Sequence, residues 1–305
     1  MTRQEIEDAI ATAEHDPKAF FGADSDAVLK KWQTLTHPDK WRDDTELAKS
    51  WFVRFNELAT ESKLDKTIGE YRIVRSLPPG DICNIFIGDS GGQKVLIKQP
   101  RVKAASLMKA EMANLNKMIG KMKEAATHLF PKPIASVEGC NVFQYANDLT
   151  TVAQLKTRYP DGVGGRHIGW LTKRILLALS WAHGEGVVHG AVTDEHVLVC
   201  KRNHGIVLCD WTLSGKPGDA IKVVPKKYKD YYATAKDKKL SKALDISMAG
   251  HVLSNLMGAA PKKLRAFVHA MQVGNIGTDH AWTLHQEWDD LLRSEYGAPK
   301  WVELV

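Results

Sequence analysis

The chain of 305 residues holds only four cysteines, Cys83, Cys140, Cys200 and Cys209, and no two of them have CxxC spacing. That scarcity argues against a disulfide framework or a cysteine metal site. Three of the four sit in strand-like contexts, so buried free thiols in a reducing cytoplasm are expected. No apolar run approaches the roughly 20 residues needed to span a bilayer, so no membrane association is expected. The opening MTRQEIEDAI lacks the apolar core of a signal peptide, and a cytoplasmic location follows as the expectation. A disordered composition is absent as well. With 44% hydrophobic and 26% charged residues the chain is that of a globular protein, with room for one large domain or two smaller ones.

The net charge of +6 is unevenly spread. Residues 1–66 carry 10 Lys and Arg against 14 Asp and Glu, whereas the remainder carries 32 against 22. An acidic module followed by a basic one is the simplest organisation. The densest basic stretch is Lys216–Lys242, with nine lysines and three acids. A solvated loop accounts for it; an acidic partner, nucleic acid included, is the sharper alternative. Tyr228, Tyr231 and Tyr232 lie within it without the interleaving that base stacking needs.

In the acidic module, Ile6, Ala9, Ile10 and Ala13 recur at helical spacing until Asp16-Pro17 breaks the pattern. Asp24 and Ser25 can cap a second helix with Val28, Leu29, Trp32 and Leu35 inward and Lys30 and Lys31 outward. Pro38 ends it, and a third helix from about Thr45 carries Leu47, Ala48, Trp51, Phe52, Phe55 and Leu58. The sequence thus predicts two antiparallel helices joined by the polar loop His37-Pro38-Asp39-Lys40.

That arrangement over residues 16–63 resembles a J-domain, the module with which DnaJ-type co-chaperones stimulate DnaK-type chaperone ATPases. A basic helix before the tripeptide, Lys40 after it, and Phe52-Val-Arg-Phe55-Asn56-Glu57 against the family's Phe-x-x-Ile-Asn-Glu carry the resemblance. It implies that His37, Pro38 and Asp39 engage a DnaK-type chaperone, with Lys30, Lys31 and Lys40 steering the encounter. The module departs from the family in two respects, its acidic overall charge and a first helix that aligns poorly.

After Leu64-Asp-Lys-Thr67 the pattern becomes that of strands. Tyr71–Leu77, Asn84–Gly88 and Lys94–Lys98 are expected strands, the last two joined by a hairpin at Asp89-Ser-Gly-Gly. A helix follows over about 104–122, and Asn141–Ala146 is a further apolar run. Trp170–Gly184 forms a long amphipathic stripe. Within Val187–Trp211, short β-branched runs bracket two loops, one carrying His189 and Glu195-His196, the other Asp210. Helical patterns at Pro261–Met271 and Ala281–Tyr296 close the chain. The latter's stripe of Trp282, Leu284, His285, Trp288 and Leu292 is expected in the core.

Residues 67 to 297 resemble a bacterial-type protein kinase. Val95-Leu-Ile-Lys98 stands for the Val-Ala-Ile-Lys strand, and Glu111, thirteen residues on, for the helix glutamate that pairs with its lysine. Asn141–Ala146 stands for the hinge strand, with Phe143 as gatekeeper and Gln144 to Ala146 offering backbone groups to adenine. In the phosphate loop Pro78, Gly80, Cys83 and Ile85 replace Gly-x-Gly-x-x-Gly-x-Val, and only Gly80 retains glycine's freedom. Where kinases read His-Arg-Asp-Leu-x-x-x-Asn, this chain reads His189-Gly190-Ala191-Val192-Thr193-Asp194-Glu195-His196. The base is therefore Ala191, a loss of about 10²–10⁴-fold. The second metal ligand is His196, a nitrogen donor ill-suited to Mg2+, whereas Asp210 keeps a metal-binding carboxylate. As substitute bases Asp194 and Glu195 are disfavoured, because their offsets place them on the far side of the loop. Asp245 opens the helix that braces the catalytic loop, and Tyr232-Ala-Thr-Ala235 lacks the anchoring glutamate of Tyr-x-Ala-Pro-Glu.

The expected fold class is α+β: a J-domain-like helical hairpin over residues 1–66, then a bilobal kinase-like domain over 67–305. Its β-rich N-lobe would run to about 145, with a helical C-lobe beyond. The putting-together of these motifs implies a pseudokinase adaptor. Its J-domain recruits a DnaK-type chaperone to a client protein held by the kinase-like domain, and ATP with Mg2+ is bound weakly or not at all. The alternative is an ATP-binding Ser/Thr protein kinase with a non-standard catalytic loop.

Overall fold

The computed structural model describes residues 2–63, 66–80, 82–101, 104–122, 124–146, 148–302 and 304. Leu64 and Asp65 of the expected linker lie outside these. Packing divides the chain into two compact units, Met1–Val102 with Ala135–Tyr145, and Lys103–Ile134 with Ala146–Val305. The boundary after residue 66 rests instead on charge and motif.

In the first unit four helices precede the strands: α1 (Arg3–His15), α2 (Pro17–Phe21), α3 (Ser25–Leu35) and α4 (Thr45–Ser62). Thr2 and Glu5 close a capping box on α1. The short α2 is absent from the sequence expectation. Asp16 does end α1, but its side chain also accepts from Ala19 N–H, and Pro17 takes the first helical position, where its missing N–H costs nothing. Asp24 caps α3 as expected. The helices close over Ile6, Phe21, Trp32, Trp51, Phe55 and Leu58. Trp32 and Phe55 stack at 4.6 Å between centroids, which adds about 0.5–1.5 kcal/mol to the burial of both rings.

A six-stranded sheet follows, built from β1 (Thr67–Ile68), β2 (Tyr71–Leu77), β3 (Cys83–Ser90), β4 (Gln93–Pro100), β5 (Pro133–Val137) and β6 (Cys140–Gln144) in the order β1-β2-β3-β4-β6-β5. The β3–β4 hairpin pairs Ser90 with Gln93, which leaves Gly91 and Gly92 as a two-residue turn with φ of 62° and 87°. Both angles fall where an L side chain is strained, so the glycines fix the register. Alternation puts Tyr71, Ile73, Phe86, Val95, Ile97 and Val142 on one buried face. Helix α4 meets β2 through charge: Glu61, 8% exposed, lies 3.4 Å from Arg54 and 3.2 Å from Arg75. Desolvation raises the Glu61 pKa despite these two cations.

The second unit begins with α5 (Ala105–Ile119) and α6 (Glu124–Thr127). It continues through α7 (Val152–Arg158), α8 (Gly165–Gly184), α9 (Lys242–Leu256), α10 (Lys262–Gln272) and α11 (Ala281–Tyr296). Strands β7 (Leu149–Thr151), β8 (Val197–Cys200) and β9 (Gly205–Leu208) form a small antiparallel sheet. Helix α9 is buried without a break from Leu244 to Gly250 and forms the middle of this unit. Helix α8 starts five residues before its expected first residue, Trp170. Gly165 and Gly169, which read as helix-weakening, are there for close approach to α11. A Cβ on Gly169 would stand 2.9 Å from Leu292, and one on Gly165 2.3 Å from the Tyr296 hydroxyl.

The α11 stripe needs a correction. Leu284 and Trp288 are fully buried, but Trp282 is 44% exposed and stacks on His285 at the surface. Positions two apart on a helix point about 200° apart, so Trp282 and Leu284 cannot share a face. Among the described residues all four cysteines are free thiols, and no helix is long and apolar enough to cross a membrane.

Candidate functional site

The His37 loop stands at one end of the α3–α4 pair. His37 ends the extended backbone with φ −61° and ψ 131°, and Pro38–Lys40 form a single 3₁₀ turn. The His37 side chain is 52% exposed and that of Asp39 86%, so neither contributes to the core. The imidazole sits edge-on to Phe52, 6.2 Å between centroids, and its Nδ1 accepts the Asp39 N–H at 3.3 Å. Gln33 donates to Asn56 Oδ1 at 2.7 Å and ties the two helices just behind the loop. Trp41 donates to the Leu35 carbonyl at 3.0 Å and closes its far side. Lys30, Lys31 and Lys40 are all exposed.

The first unit also carries the strand residues of the expected nucleotide site. Lys98 is 5% exposed on β4, in register with Ile85 on β3 and Asn141 on β6. Gly80 donates its N–H to the Cys83 carbonyl at 3.0 Å, so that donor already closes the turn. Gln144 pairs with Val95 and is exposed. Glu111, Ala146, His196 and Asp210 belong to the second unit.

There the loop after α8 is held from below by Asp245, a fully buried carboxylate. It accepts the backbone N–H groups of His189 and Gly190, both at 2.8 Å, and the His183 Nε2–H at 2.9 Å. Gly190 takes φ of 73°, and a Cβ there would meet Leu240 at 2.7 Å and the Leu213 carbonyl at 3.0 Å. An arginine at this position is excluded by both strain and space. Tyr232 donates to the Gly190 carbonyl at 2.8 Å and pins the loop from the other side.

His189 accepts the Ala191 N–H at Nδ1, which leaves Nε2–H to donate to the Cys209 carbonyl at 2.9 Å. Burial pushes its pKa down to about 4, outweighing the pull of Asp245, so the ring is neutral and structural. The Ala191 methyl is 1% exposed, and nothing at that position can take a proton. Asp194 accepts from Tyr231 at 2.9 Å and lies 3.4 Å from the Asn255 amide; burial, first, raises its pKa. Glu195 is paired with Lys227. Both acids are thus engaged away from Ala191.

Asp210 adopts the left-handed region, φ 59° and ψ 71°. Its Oδ1 accepts from the Thr212 hydroxyl and, at 3.3 Å, from the Thr212 N–H, while His196 Nε2 lies 3.3 Å from its Oδ2. His196 Nδ1 donates to the Ala191 carbonyl at 2.7 Å. Glu111, 1% exposed, accepts the Trp211 N–H at 3.0 Å and orders the start of the segment after Asp210. Mg2+ requires about six oxygen ligands in a near-octahedral shell. Here the second position offers an imidazole nitrogen that is itself directed at the one carboxylate. Among the described residues no three His, Cys, Asp or Glu side chains cluster, so any Mg2+ here would depend on this one carboxylate together with phosphate and water oxygens. The donor set does not fit Mg2+.

Three positions that hold this site had no individual signal in the sequence: Thr212, Asn255 and Tyr231. Their partners lie two, 61 and 37 residues away in the chain. The two long separations have no local pattern to betray them. In the lysine-rich stretch the lysines are exposed apart from the half-buried Lys242, but Tyr228, Tyr231 and Tyr232 are 5%, 6% and 7% exposed. These tyrosines serve the interior and are closed to base stacking.

No protein-family model and no curated protein matches the chain. Among solved structures, the crystal structure of the PF14_0431 kinase domain is similar, with a TM-score of 0.52 and 15% identity. The likeness covers 62% of this chain and 64% of that one. The fold over that part of the chain is kinase-like.

Proposed function

We propose that this protein is a co-chaperone adaptor in which a J-type module recruits a DnaK-type chaperone to a protein held by a kinase-like domain of little or no catalytic power. The observation that carries the reading is the His37–Asp39 loop. Its side chains face solvent at the end of a helix pair whose core they do not serve, which is the behaviour of a recognition tripeptide rather than a packing element. Lys30, Lys31 and Lys40 supply a positive field around it. Joining the two modules in one chain raises the effective concentration of the chaperone at the client.

The kinase-like part favours scaffolding over phosphotransfer because Ala191 leaves no base and the Asp210–His196 arrangement does not suit Mg2+. The exposed lysines of 216–242 offer an acidic client or other acidic partner a docking surface. The buried Glu111 and the Asp245-braced loop favour a second reading, a slow atypical kinase, since they keep part of the kinase frame.

The test is the steady-state ATPase rate of a DnaK-type chaperone with and without the full chain. Stimulation that disappears in His37→Gln is expected, with the variant's unfolding midpoint unchanged. No stimulation at saturating protein rejects the adaptor reading. ATP turnover by the chain alone that is lost in Asp210→Ala would favour the kinase reading instead.

A further inference from the structure

Away from the His189 loop, the second unit carries a half-open pocket of about 540 Å³ between α8, α11, the β8–β9 turn and the segment after α11. Five cationic side chains line it, Arg166, Lys173, Arg174, Arg293 and Lys300, against one carboxylate, Asp289. Lys173 and Arg293 both engage that carboxylate. Arg166 lies 4.5 Å over the Tyr296 ring. Arg174 and Lys300 remain: among the described residues neither has a hydrogen-bond or ion-pair partner. Arg174 is half-buried, which makes the lack of a counter-ion costly.

Neutral polar groups at the same cavity are unsatisfied too. The Trp170 indole N–H is buried without an acceptor. His204, 8% exposed, has no partner for Nε2, although its ring also meets the Val302 backbone. Its imidazole is held flat between Trp170 at 4.4 Å and Trp301 at 3.8 Å, so the Trp170 ring is fixed before any ligand arrives. A half-buried guanidinium, a lysine and a buried indole N–H around one space constitute an oxyanion receptor.

We propose that this cavity binds the phosphate group of a small molecule, held by Arg174 and Lys300 with the Trp170 indole N–H as a third donor. Two cations without a carboxylate partner among the described residues match the charge of about −1.5 to −2 that a phosphate monoester carries at neutral pH. A carboxylate ligand would leave one of them uncompensated. Trp301, 61% exposed while stacked on His204, offers a flat apolar wall beside the phosphate position, so a ligand with an aromatic body gains a further contact.

The experiment follows the Trp170 indole N–H signal of the full chain by NMR during titration with inorganic phosphate, AMP or adenosine. Saturable shifts with phosphate and AMP but not with adenosine are expected. Affinity falls about tenfold or more in Arg174→Gln. Lys300→Ala, at an exposed position without a folding role, also weakens binding while the unfolding midpoint stays at its original value. The proposal is overturned by a Trp170 signal that does not move up to millimolar phosphate and AMP. An equal response to adenosine, or undiminished affinity in both variants, overturns it as well.

Discussion

His196 Nε2 lies 3.3 Å from Asp210 Oδ2, while its Nδ1–H is committed to the Ala191 carbonyl at 2.7 Å. One imidazole thus bridges the Ala191 carbonyl and the Asp210 carboxylate, the positions to which the proposed kinase-like reading gives a base and a metal ligand. Replacing it with asparagine restores an oxygen and releases Oδ2. The expected outcome is a Mg2+-dependent gain in the thermal stabilisation by ATP in His196→Asn. The gain should be about 1 kcal/mol, or roughly 2–4 °C, with none in the parent chain. A parent midpoint that itself rises only when Mg2+ accompanies ATP would refute the misfit.

Asp245 collects two loop N–H groups and His183 with no exposure to water. Removing it in Asp245→Ala leaves three buried donors unpaired, and the loss should be on the order of 3–5 kcal/mol. Asp245→Asn keeps an acceptor of the same shape and should lose less. Urea unfolding of the three proteins checks the order.

Much of this was legible in the sequence, for identifiable reasons. The β3–β4 hairpin was readable because alternation and Gly91-Gly92 both specify it, and α3 because Asp24 stands where a cap belongs. The strand runs that bracket the loops of His189, Ala191, His196 and Asp210 were readable from their β-branched pattern, whereas the roles expected of these residues came from the kinase resemblance and remain part of the proposal. Helix α2 was not readable, since five residues hold too little periodicity and Pro17 reads equally as a breaker and as a first helical residue. The start of α8 was hidden by Gly165 and Gly169, whose reason is the distant Leu292 and Tyr296 on α11. The same holds for the Trp170–His204–Trp301 stack, whose members are up to 131 residues apart and meet only in the folded chain.

The α11 stripe gives a paired test. Trp288 is fully buried and donates to the Gly169 carbonyl at 2.9 Å, whereas Trp282 is 44% exposed. Trp288→Ala should cost about 3–5 kcal/mol through cavity formation and the lost bond to Gly169. Trp282→Ala should stay within about 0.5 kcal/mol. Equal losses in denaturant unfolding would mean that the helix is rotated from the orientation described.

His189 sets an acid limit on stability. Its ring is neutral in the folded protein, with a pKa near 4, but titrates from the ordinary value of 6.5 once the chain unfolds. Between these two values the unfolded chain binds a proton that the folded chain refuses. Stability is therefore unaffected above the unfolded value and declines as pH falls through the window. Each unit of pH within it removes about 1.4 kcal/mol, on the order of 3 kcal/mol across the whole interval. In His189→Gln this slope should be absent, although the variant starts from a lower stability because its hydrogen bonds to Ala191 and Cys209 are altered. The check is urea unfolding of both proteins at several pH values across the window. Parallel declines would assign the acid sensitivity to other groups, whereas a shallower decline in the variant assigns it to this ring.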